Sequence, residues 1–357
     1  MIDLTTKERV FKMTAKTLLI IGLGDLVRNR LCPVLQKLKE QMNLRVIGID
    51  LCENVPAPLA DVVDEYIKSN GRIPMDIVAS LKHGDVIYIA TPPDFHLIQL
   101  FEVLCSGTGA LVAVEKPLSW LKDYPLAVRA CDVLGKYEQS VVYVDHYTWI
   151  DNFDQLLRDN TAPFERVKHI DMALIDNPDG APSHRFYTLQ DGMIGDCASH
   201  LYALLIKWLR YQRIWQYRLE VQEVIAASYL ENGKPLPIKG EMGVRINSKL
   251  SANGHTIDLT FRAGKGTGYV EKSGRFASDD GTVLAECRLD SRSAYHRIVT
   301  SLLEQQTEGF LRLSDALRIL GWMAKAKAKA VWQAPYDVGE MPAFFKPRNV
   351  SGRFGGA

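Results

Sequence analysis

The chain has 357 residues, of which 47% are hydrophobic and 24% charged, which is the balance of a globular protein that buries a sizeable core. At roughly 100–200 residues per domain, this length indicates two domains. With 43 basic and 42 acidic residues the net charge is +1, which excludes the basic footprint of a nucleic-acid-binding domain.

The sequence lacks the patterns that membrane insertion, secretion and structural metal binding require. The apolar run from Leu18 to Leu23 is far shorter than the roughly 20 residues of a membrane span, and no small-residue cleavage site follows it. The six cysteines contain no CxxC pair, so we expect neither a disulfide framework nor a metal site. We therefore expect a cytoplasmic protein without a nucleic-acid or membrane partner.

Residues 1–16 are expected to be an extension, and residues 17–145 alternate between strand and helix patterns. The strands are apolar throughout, which is typical of a parallel sheet covered on both faces. The predicted strands are 17–21, 44–50, 85–90, 110–114 and 141–144, and the predicted helices are 25–39, 76–81, 95–105 and 124–136. This α/β pattern predicts a doubly wound Rossmann domain that binds a dinucleotide.

A glycine-containing turn joins the first strand to the first helix. It comprises Gly22, Leu23, Gly24, Asp25 and Leu26. Its glycines allow a tight turn and let a pyrophosphate reach N–H groups at the positive helix start. The third glycine of the GxGxxG pattern is replaced by Val27, so a bare turn is the alternative. The position at the opening of an alternating α/β half favours cofactor binding.

Asp50 ends the second predicted strand. A carboxylate there can accept hydrogen bonds from the adenosine ribose hydroxyls and would repel the 2′-phosphate of NADP. The alternative is an ordinary loop or cap aspartate. The position predicts NAD as the cofactor, with NADP as the second choice.

Two further motifs follow strands at the carboxyl edge of the sheet, where cofactors lie in such folds. Thr91, Pro92 and Pro93 form a rigid turn after one strand, and His96 is either a cofactor contact or only a residue of the helix start. Glu115-Lys116-Pro117 closes the next strand. We assign Glu115 to cofactor binding and expect Lys116 to point into the cleft rather than to lie on the surface.

Residues 146–333 are predicted to form a second α/β domain for substrate binding and oligomerisation, with an irregular tail at 334–357. Alternating apolar and polar residues predict a large open sheet, mainly antiparallel, with a hairpin turn at Asn253-Gly254. The predicted strands are 165–175, 219–229, 242–250, 256–262 and 282–287, and the helices are 195–211, 294–303 and 313–331. An exposed apolar sheet face usually marks an interface, so we expect a homodimer or homotetramer.

Polar side chains at the domain junction suit a hydroxyl-rich substrate. Asp145, His146 and Tyr147 follow the last Rossmann strand, where a structural hinge is the alternative, and Arg185 could add a substrate contact. Further along, Asp196 and His200 are four residues apart and so share a helical face. An acid and an imidazole placed in this way can share a substrate hydroxyl. The glycines that precede them are expected to permit close approach of a ligand.

These residues together resemble the Gfo/Idh/MocA oxidoreductases, which pair a Rossmann domain with an open-sheet α/β domain. The resemblance covers nearly the whole chain, at Gly22, Gly24, Ala90 to Pro93, His96, Glu115 to Pro117, Asp196 and His200. It implies that Lys116 and His200 are catalytic and that Asp196 helps to hold substrate.

A second resemblance is to glucose-6-phosphate dehydrogenases. Residues 24–35 look like the first helix of those enzymes, Asp145-His146-Tyr147 looks like their substrate signature, and the segment 334–342 looks like their C-terminal end. The chain departs from them because Ile150 stands where the signature closes with Lys, and because the chain is markedly shorter. The resemblance implies that Asp145 orients His200.

These features predict a dehydrogenase that acts on a secondary hydroxyl, or the derived ketone, of a sugar, sugar phosphate or cyclitol. His200 would take the hydroxyl proton, and Lys116 would stabilise the developing alkoxide. One alternative is a sugar isomerase or epimerase that keeps its NAD bound and oxidises only transiently. The other is a non-enzymatic NAD(H) sensor, against which the intact set of Lys116, Asp196 and His200 argues.

Overall fold

The computed structural model describes residues 15–176, 191–231, 234–235, 240–265, 270–291, 293–337 and 343–345. Its first sheet has six parallel strands in the order β3-β2-β1-β4-β5-β6. They are β1 (Lys16–Ile21), β2 (Leu44–Asp50), β3 (Glu65–Lys68), β4 (Val86–Ile89), β5 (Leu111–Glu115) and β6 (Val141–Val144). This is the strand order of a Rossmann fold and confirms the predicted fold class.

The strand β3 escapes sequence patterning because it is short and lies at the sheet edge, with no fully buried side chain. The helices of this half are α1 (Cys32–Gln41), α2 (Met75–Ser80), α3 (Pro93–Cys105) and α4 (Tyr124–Leu134). A π-helical turn, Val27–Leu31, runs directly into α1. Its first residue, Val27, is fully buried in the core, which explains why this position holds a large side chain instead of a third glycine.

The second sheet has seven strands in the order β14-β13-β7-β12-β11-β8-β15. The remaining strands are β7 (His169–Asp176), β8 (Arg218–Ala227), β9 (Tyr229–Glu231), β10 (Lys234–Pro235), β11 (Gly243–Ala252), β12 (His255–Lys265), β13 (Glu271–Ala277), β14 (Val283–Arg288), β15 (Ala330–Trp332) and β16 (Tyr336–Asp337). Most pairings in it are antiparallel, as predicted, but β7 lies parallel to β12 and β15 parallel to β8. The strands β9, β10 and β16 form a small separate sheet.

The hairpin turn between β11 and β12 is confirmed. Asn253 and Gly254 have φ angles of 49° and 74°, and two consecutive positive values are typical of a type I′ turn. The sequence pattern misses β13 because this strand is rich in polar residues and carries a glycine at its centre.

The helices of the second half are α5 (Asp151–Arg158), α6 (Ser199–Tyr211), α7 (Ala294–Leu303) and α8 (Leu313–Lys329). The helix α6 packs on the second sheet, where the Tyr202 ring meets Phe261 of β12 edge-on at 5.2 Å. The helix α7 instead packs on the first sheet, because Ala294 and Ile298 share a buried cluster with Tyr88. The helix α8 ends before the predicted residue 331, and its continuation pairs with β8 as β15.

The face of the second sheet that points away from α6 is polar, which corrects the expectation of an exposed apolar face. On β12, Ile257 and Leu259 are buried, whereas Thr256 and Asp258 are exposed. Because side chains alternate across a strand, the apolar set lies under α6 and the polar set faces outward. The predicted homo-oligomer therefore lacks its apolar argument and stays a prediction.

The tail is not wholly irregular, contrary to prediction. Within 334–357 the structure describes β16 and a 3₁₀ turn, Ala343–Phe345, whose Phe344 and Phe345 are buried. No helix in the described part of the chain is long and apolar enough to cross a membrane. The described cysteine side chains are free thiols: Cys32, Cys52, Cys105, Cys197 and Cys287.

Candidate active site

The turn after β1 is shaped by Gly22, whose φ of 91° lies in the region that favours glycine. A Cβ at this position would lie 2.8 Å from Thr91 N and 2.8 Å from Thr91 Cγ2, so the turn packs tightly against the end of β4. Gly24 differs, because nothing lies within 4 Å of the position of its missing Cβ. The backbone at Gly24 is therefore open to a ligand.

Asp50 holds this turn from the end of β2. Its Oδ2 accepts a hydrogen bond from Leu23 N at 2.6 Å, and its Oδ1 accepts one from Cys52 N at 3.1 Å. Burial raises the pKa of the Asp50 carboxyl, but the backbone N–H groups outweigh burial and the pKa is lowered. The ionised carboxylate keeps further lone pairs that can accept hydrogen bonds, and its predicted contact with an adenosine ribose stays a prediction.

The β4–α3 turn lies beside the glycine turn. Pro92 immediately precedes α3, and Pro93 is its first residue, where the missing N–H breaks no helical hydrogen bond. His96 is buried, and its ring nitrogens lie 2.7 Å from Thr91 O and 2.7 Å from Pro117 O. The His96 ring thus braces the turn against the segment that follows β5, and its contact with a cofactor stays a prediction.

Glu115 ends β5 and lies in the interior. Its Oε1 accepts a hydrogen bond from the Tyr88 hydroxyl at 2.6 Å, and its Oε2 accepts one from Lys116 N at 3.2 Å. Burial raises the pKa of the Glu115 carboxyl to about 7, although both hydrogen bonds oppose this rise. The Glu115 carboxylate thus holds the backbone N–H of Lys116. The predicted contact of Glu115 with a cofactor stays a prediction.

Lys116 and Lys265 hold Asp196 between them. Lys116 Nζ lies 2.9 Å from Asp196 Oδ1, and Lys265 Nζ lies 2.7 Å from Asp196 Oδ2. Burial disfavours the charged form of all three groups, but their mutual attraction outweighs burial. The pKa of Asp196 is held well below its usual range, and the pKa values of Lys116 and Lys265 are raised. At neutral pH this trio carries two ammonium groups and one carboxylate.

Asp145 and His200 form a buried hydrogen-bonded dyad. His200 Nδ1 lies 2.8 Å from Asp145 Oδ1 and 2.9 Å from Oδ2, and Oδ1 also accepts a hydrogen bond from Tyr147 N at 3.0 Å. Burial lowers the pKa of His200, and the Asp145 charge opposes this only in part. The ring is therefore neutral at pH 7. Since Nδ1–H donates to Asp145, the free lone pair lies on Nε2, where it can accept a proton.

Aromatic rings enclose the dyad. The Tyr147 ring lies 4.4 Å and the His146 ring 4.8 Å from the ring of His200, and Tyr295 of α7 stacks on His146 at 5.4 Å. Burial holds the pKa of His146 well below its ordinary value, and the positive charges of Lys116 and Arg30 act in the same direction. The dyad is thus surrounded by aromatic rings that also carry hydroxyl groups and imidazole nitrogens.

The glycines before Asp196 make room for protein rather than for a ligand, which corrects the sequence interpretation. A Cβ at Gly192 would lie 2.5 Å from Glu241 Cδ, and a Cβ at Gly195 would lie 2.4 Å from Asp191 Cβ. Asp196 itself lies in a π-helical turn, Ile194–Ala198, that opens α6. Such turns occur often at functional sites.

The structure brings Lys116, Asp145, Asp196 and His200 into one cluster at the ends of β5 and β6 and the start of α6. The charges of Lys116, Asp145 and Asp196 all act on the pKa of His200. Arg185 lies outside the described residues, so its substrate contact stays a prediction. Sequence reasoning missed Lys265, although its place directly after a glycine at a strand end was a usable signal.

Asp145, His146 and His200 also have side-chain ligand atoms within 4.8 Å of one another, close enough for a metal ion. Both Asp145 carboxylate oxygens already face the Nδ1 of His200. The three side chains are thus explained by a hydrogen-bonded pair, Asp145 and His200, beside a second imidazole, and the expectation of no metal site stays a prediction.

Comparison with known proteins supports the fold. No family model matches the chain, and no curated protein matches it in sequence. The structure is similar to a glucose-6-phosphate dehydrogenase in complex with its substrate glucose-6-phosphate, with a TM-score of 0.70 and 15% identity over 92% of this chain and 95% of that chain. Because both chains are covered almost fully, they are similar in length. The expectation that this chain is markedly shorter is wrong for that structure.

Two further solved structures have the same architecture. One is myo-inositol 2-dehydrogenase from Lactobacillus plantarum, with a TM-score of 0.66 and 14% identity over 88% of this chain and 97% of that chain. The other is a variant 3-ketoreductase from Actinomadura kijaniata in complex with TDP-benzene and NADP, with a TM-score of 0.60 and 14% identity over 90% and 99% of the chains. At these identities the likeness shows a shared fold.

Proposed function

We propose that the chain is a nicotinamide-dependent dehydrogenase that interconverts a secondary hydroxyl and a ketone on a sugar, sugar phosphate or cyclitol. The observation that carries the proposal is the buried hydrogen bond of 2.8 Å between His200 Nδ1 and Asp145, in one cluster with Lys116, which is paired with Asp196 at 2.9 Å. Hydride transfer from an alcohol needs a base that takes the hydroxyl proton and a cationic donor that stabilises the oxygen, and both lie in the fold that also carries the glycine turn.

The residues of the turn fit a dinucleotide. The backbone at Gly24 is open, and Asp50 presents an ionised carboxylate at the strand end. The turn would hold the pyrophosphate, and Asp50 the adenosine ribose, with NAD preferred over NADP because of charge repulsion. A bound nicotinamide supplies the acceptor or donor of the hydride.

The protein groups act on the hydroxyl oxygen. In oxidation, His200 Nε2 takes the hydroxyl proton, the C–H electron pair leaves as hydride, and the C–O bond becomes a carbonyl. Ionised Asp145 stabilises the imidazolium that forms. The Lys116 ammonium donates a hydrogen bond to the same oxygen while negative charge develops there. Asp196 accepts a hydrogen bond from a neighbouring hydroxyl and so orients the sugar.

A substrate screen tests the proposal. Purified protein is incubated with sugars, sugar phosphates and cyclitols, with NAD and NADP in parallel, and the nicotinamide absorbance is followed. We expect reduction of NAD with at least one of these polyols. Co-purified NAD that shows no net reduction while a sugar is isomerised would favour the isomerase alternative. Binding of NAD(H) with no turnover of any of these compounds would favour the sensor alternative.

We also propose that the chain is a homodimer or homotetramer that associates through the outward face of the second sheet. With Thr256 and Asp258 exposed there, such an interface would be polar. Light scattering at micromolar concentration measures the mass, and a monomeric mass would refute this part of the proposal.

A further inference from the structure

The C-terminal tail is held on the second sheet by a pair of arginines. Phe344 is 6% exposed and Phe345 0% exposed. Arg262 Nη1 donates a hydrogen bond to Phe345 O at 3.0 Å, and Arg245 Nη1 donates one to Phe344 O at 3.3 Å. The backbone of this short segment is thus bound through two consecutive carbonyl oxygens.

The two arginines are placed as a receptor for the tail. Arg245 and Arg262 lie directly opposite each other on β11 and β12, where like charges repel. Acidic groups offset this repulsion: Arg262 lies 2.8 Å from Asp171 and 2.6 Å from Glu271, and Arg245 lies 3.6 Å from Glu223. The two tail carbonyls add further acceptors, so the arginine pair and the tail stabilise each other.

Gly264 of β12 makes room for the tail. A Cβ at this position would lie 2.5 Å from Phe345 Cζ and 2.9 Å from Phe345 Cε2. The φ of Gly264 lies outside the left-handed region, so backbone conformation does not require a glycine here. The reason for the glycine is the ring of Phe345, which occupies the space of the missing side chain.

The next residue, Lys265, points into the active site. Its N–H donates to Met242 O at 2.9 Å, and its Nζ donates to Asp196 Oδ2 at 2.7 Å. Successive side chains of a strand point to opposite faces. Phe345 therefore packs on one face at Gly264, while Lys265 reaches Asp196 from the other.

We propose that Phe345 is a positioning residue of the active site. Its ring holds the end of β12 in place, so that Lys265 stays directed at Asp196 and the carboxylate is presented to the substrate in one orientation. The role of Asp196 toward substrate rests on the proposed function. The coupling between the tail and Lys265 is independent of the proposed function.

The physical reason is the position of Lys265 as the last residue of β12. Without the ring, Gly264 keeps its pairing with Gly243 and Ile175 but loses its packing on one face, and a glycine has no side chain of its own to stabilise the strand there. Lys265 then no longer keeps a single orientation, and Asp196 is left with Lys116 alone. Substrate binding should weaken, whereas NAD binding at the glycine turn after β1 should not change.

A double-mutant cycle between Phe345→Ala and Lys265→Met tests this coupling. Phe345→Ala should raise KM about tenfold and leave the Kd of NAD unchanged, as expected for residues that share one contact network. In the Lys265→Met background, Phe345→Ala should change KM less than twofold. Phe344→Ala is the matched control, because it removes a neighbouring buried ring whose atoms are not those nearest to Gly264. Its effect on KM should be independent of Lys265.

A second arm of the cycle needs no substrate. Wild type, the variants Phe345→Ala and Lys265→Met, and the double variant are unfolded in urea. The loss of stability from Lys265→Met should be smaller in the Phe345→Ala background than in wild type. If wild type turns over no tested polyol, the proposed function fails while this arm still measures the coupling. Additive effects of Phe345→Ala and Lys265→Met on unfolding would overturn the positioning role.

The contact itself is tested with Gly264→Ala. Alone, this substitution should lower the urea midpoint, because its Cβ meets the Phe345 ring. Combined with Phe345→Ala it should be tolerated, because the added methyl group enters the space that the ring has left. A double variant as unstable as the sum of the two single variants would contradict the packing argument.

Discussion

The glycine turn lies within the first half of the chain, whereas the charged cluster joins residues of both halves, and the two are built in different ways. The turn uses backbone: Gly22 with its φ of 91°, the open Gly24, and one carboxylate, Asp50, bonded to a backbone N–H at 2.6 Å. The cluster uses side chains from distant parts of the chain, which neutralise one another in the interior. Lys116 and Asp196 are 80 residues apart in sequence and 2.9 Å apart in space.

This difference determines what each region tolerates. A turn made of backbone depends on the absence of side chains, so added methyl groups should damage it more than charge changes. A buried cluster depends on complete pairing, because an unpaired buried charge is strongly disfavoured. The following substitutions probe the two regions, beginning with the one that should change turnover most.

Removal of the base should have the largest effect. His200→Ala should lower kcat by roughly 10²–10⁴-fold, the range for loss of a general base. In wild type, the oxidation rate should fall as pH falls through the pKa of His200, which burial lowers from 6.5, because the imidazolium cannot accept a proton. The variant should lack this acid limb in its pH–rate profile. If turnover and profile stay close to wild type, the base lies elsewhere, and His146 is the first replacement to test.

Removal of the cationic donor should have a somewhat smaller effect. Lys116→Ala should lower kcat by about 10²–10³-fold, as for loss of an oxyanion donor, and should keep the acid limb of His200. Lys265→Ala is the control, since it also removes a lysine bound to Asp196 but should mainly raise KM. Steady-state kinetics separate the two. Equal losses of kcat in both variants would argue against a special role for Lys116.

The two glycines of the turn should respond differently to the same methyl group. Gly22→Ala should lower the free energy of unfolding by about 1–3 kcal/mol, the range for a strained backbone position, because its Cβ would also meet Thr91. Gly24→Ala should change stability by less than about 0.5 kcal/mol but weaken NAD binding. Urea unfolding and fluorescence titration with NADH measure the two effects. Unchanged NADH affinity in Gly24→Ala would place the cofactor elsewhere.

The smallest effect is expected for the cofactor preference. Asp50→Ser should relax the preference for NAD over NADP by roughly tenfold, because it removes the repulsion of the 2′-phosphate. Asp76→Ser is the control, because it removes an exposed carboxylate on α2, outside the glycine turn, and should leave the preference as it is. The Kd values of both cofactors decide the matter. Tighter binding of NADP than of NAD by the wild type would show the assignment of Asp50 to be wrong.

The architecture of the first half could be predicted closely from the pattern of apolar residues. Apolar strands that alternate with helices predict a parallel sheet because both faces must be covered, and the observed strand order agrees. The residues at the strand ends could also be placed, since the carboxyl ends of parallel strands share one edge. Lys116 and Asp145 follow neighbouring strands, β5 and β6, and were found in this way.

The residues that complete the site could not be predicted in this way and became visible only in the folded chain. Lys265, Tyr295 and Phe345 reach the site or its support from strands, helices and a tail far along the chain, and no local pattern encodes such contacts. The structure also showed that Gly192 and Gly195 accommodate Glu241 and Asp191. The physical reason is that periodicity reports only which face of an element is buried. The neighbours that fill the space on that face, and the burial that shifts a pKa, are set by the packing of the whole chain.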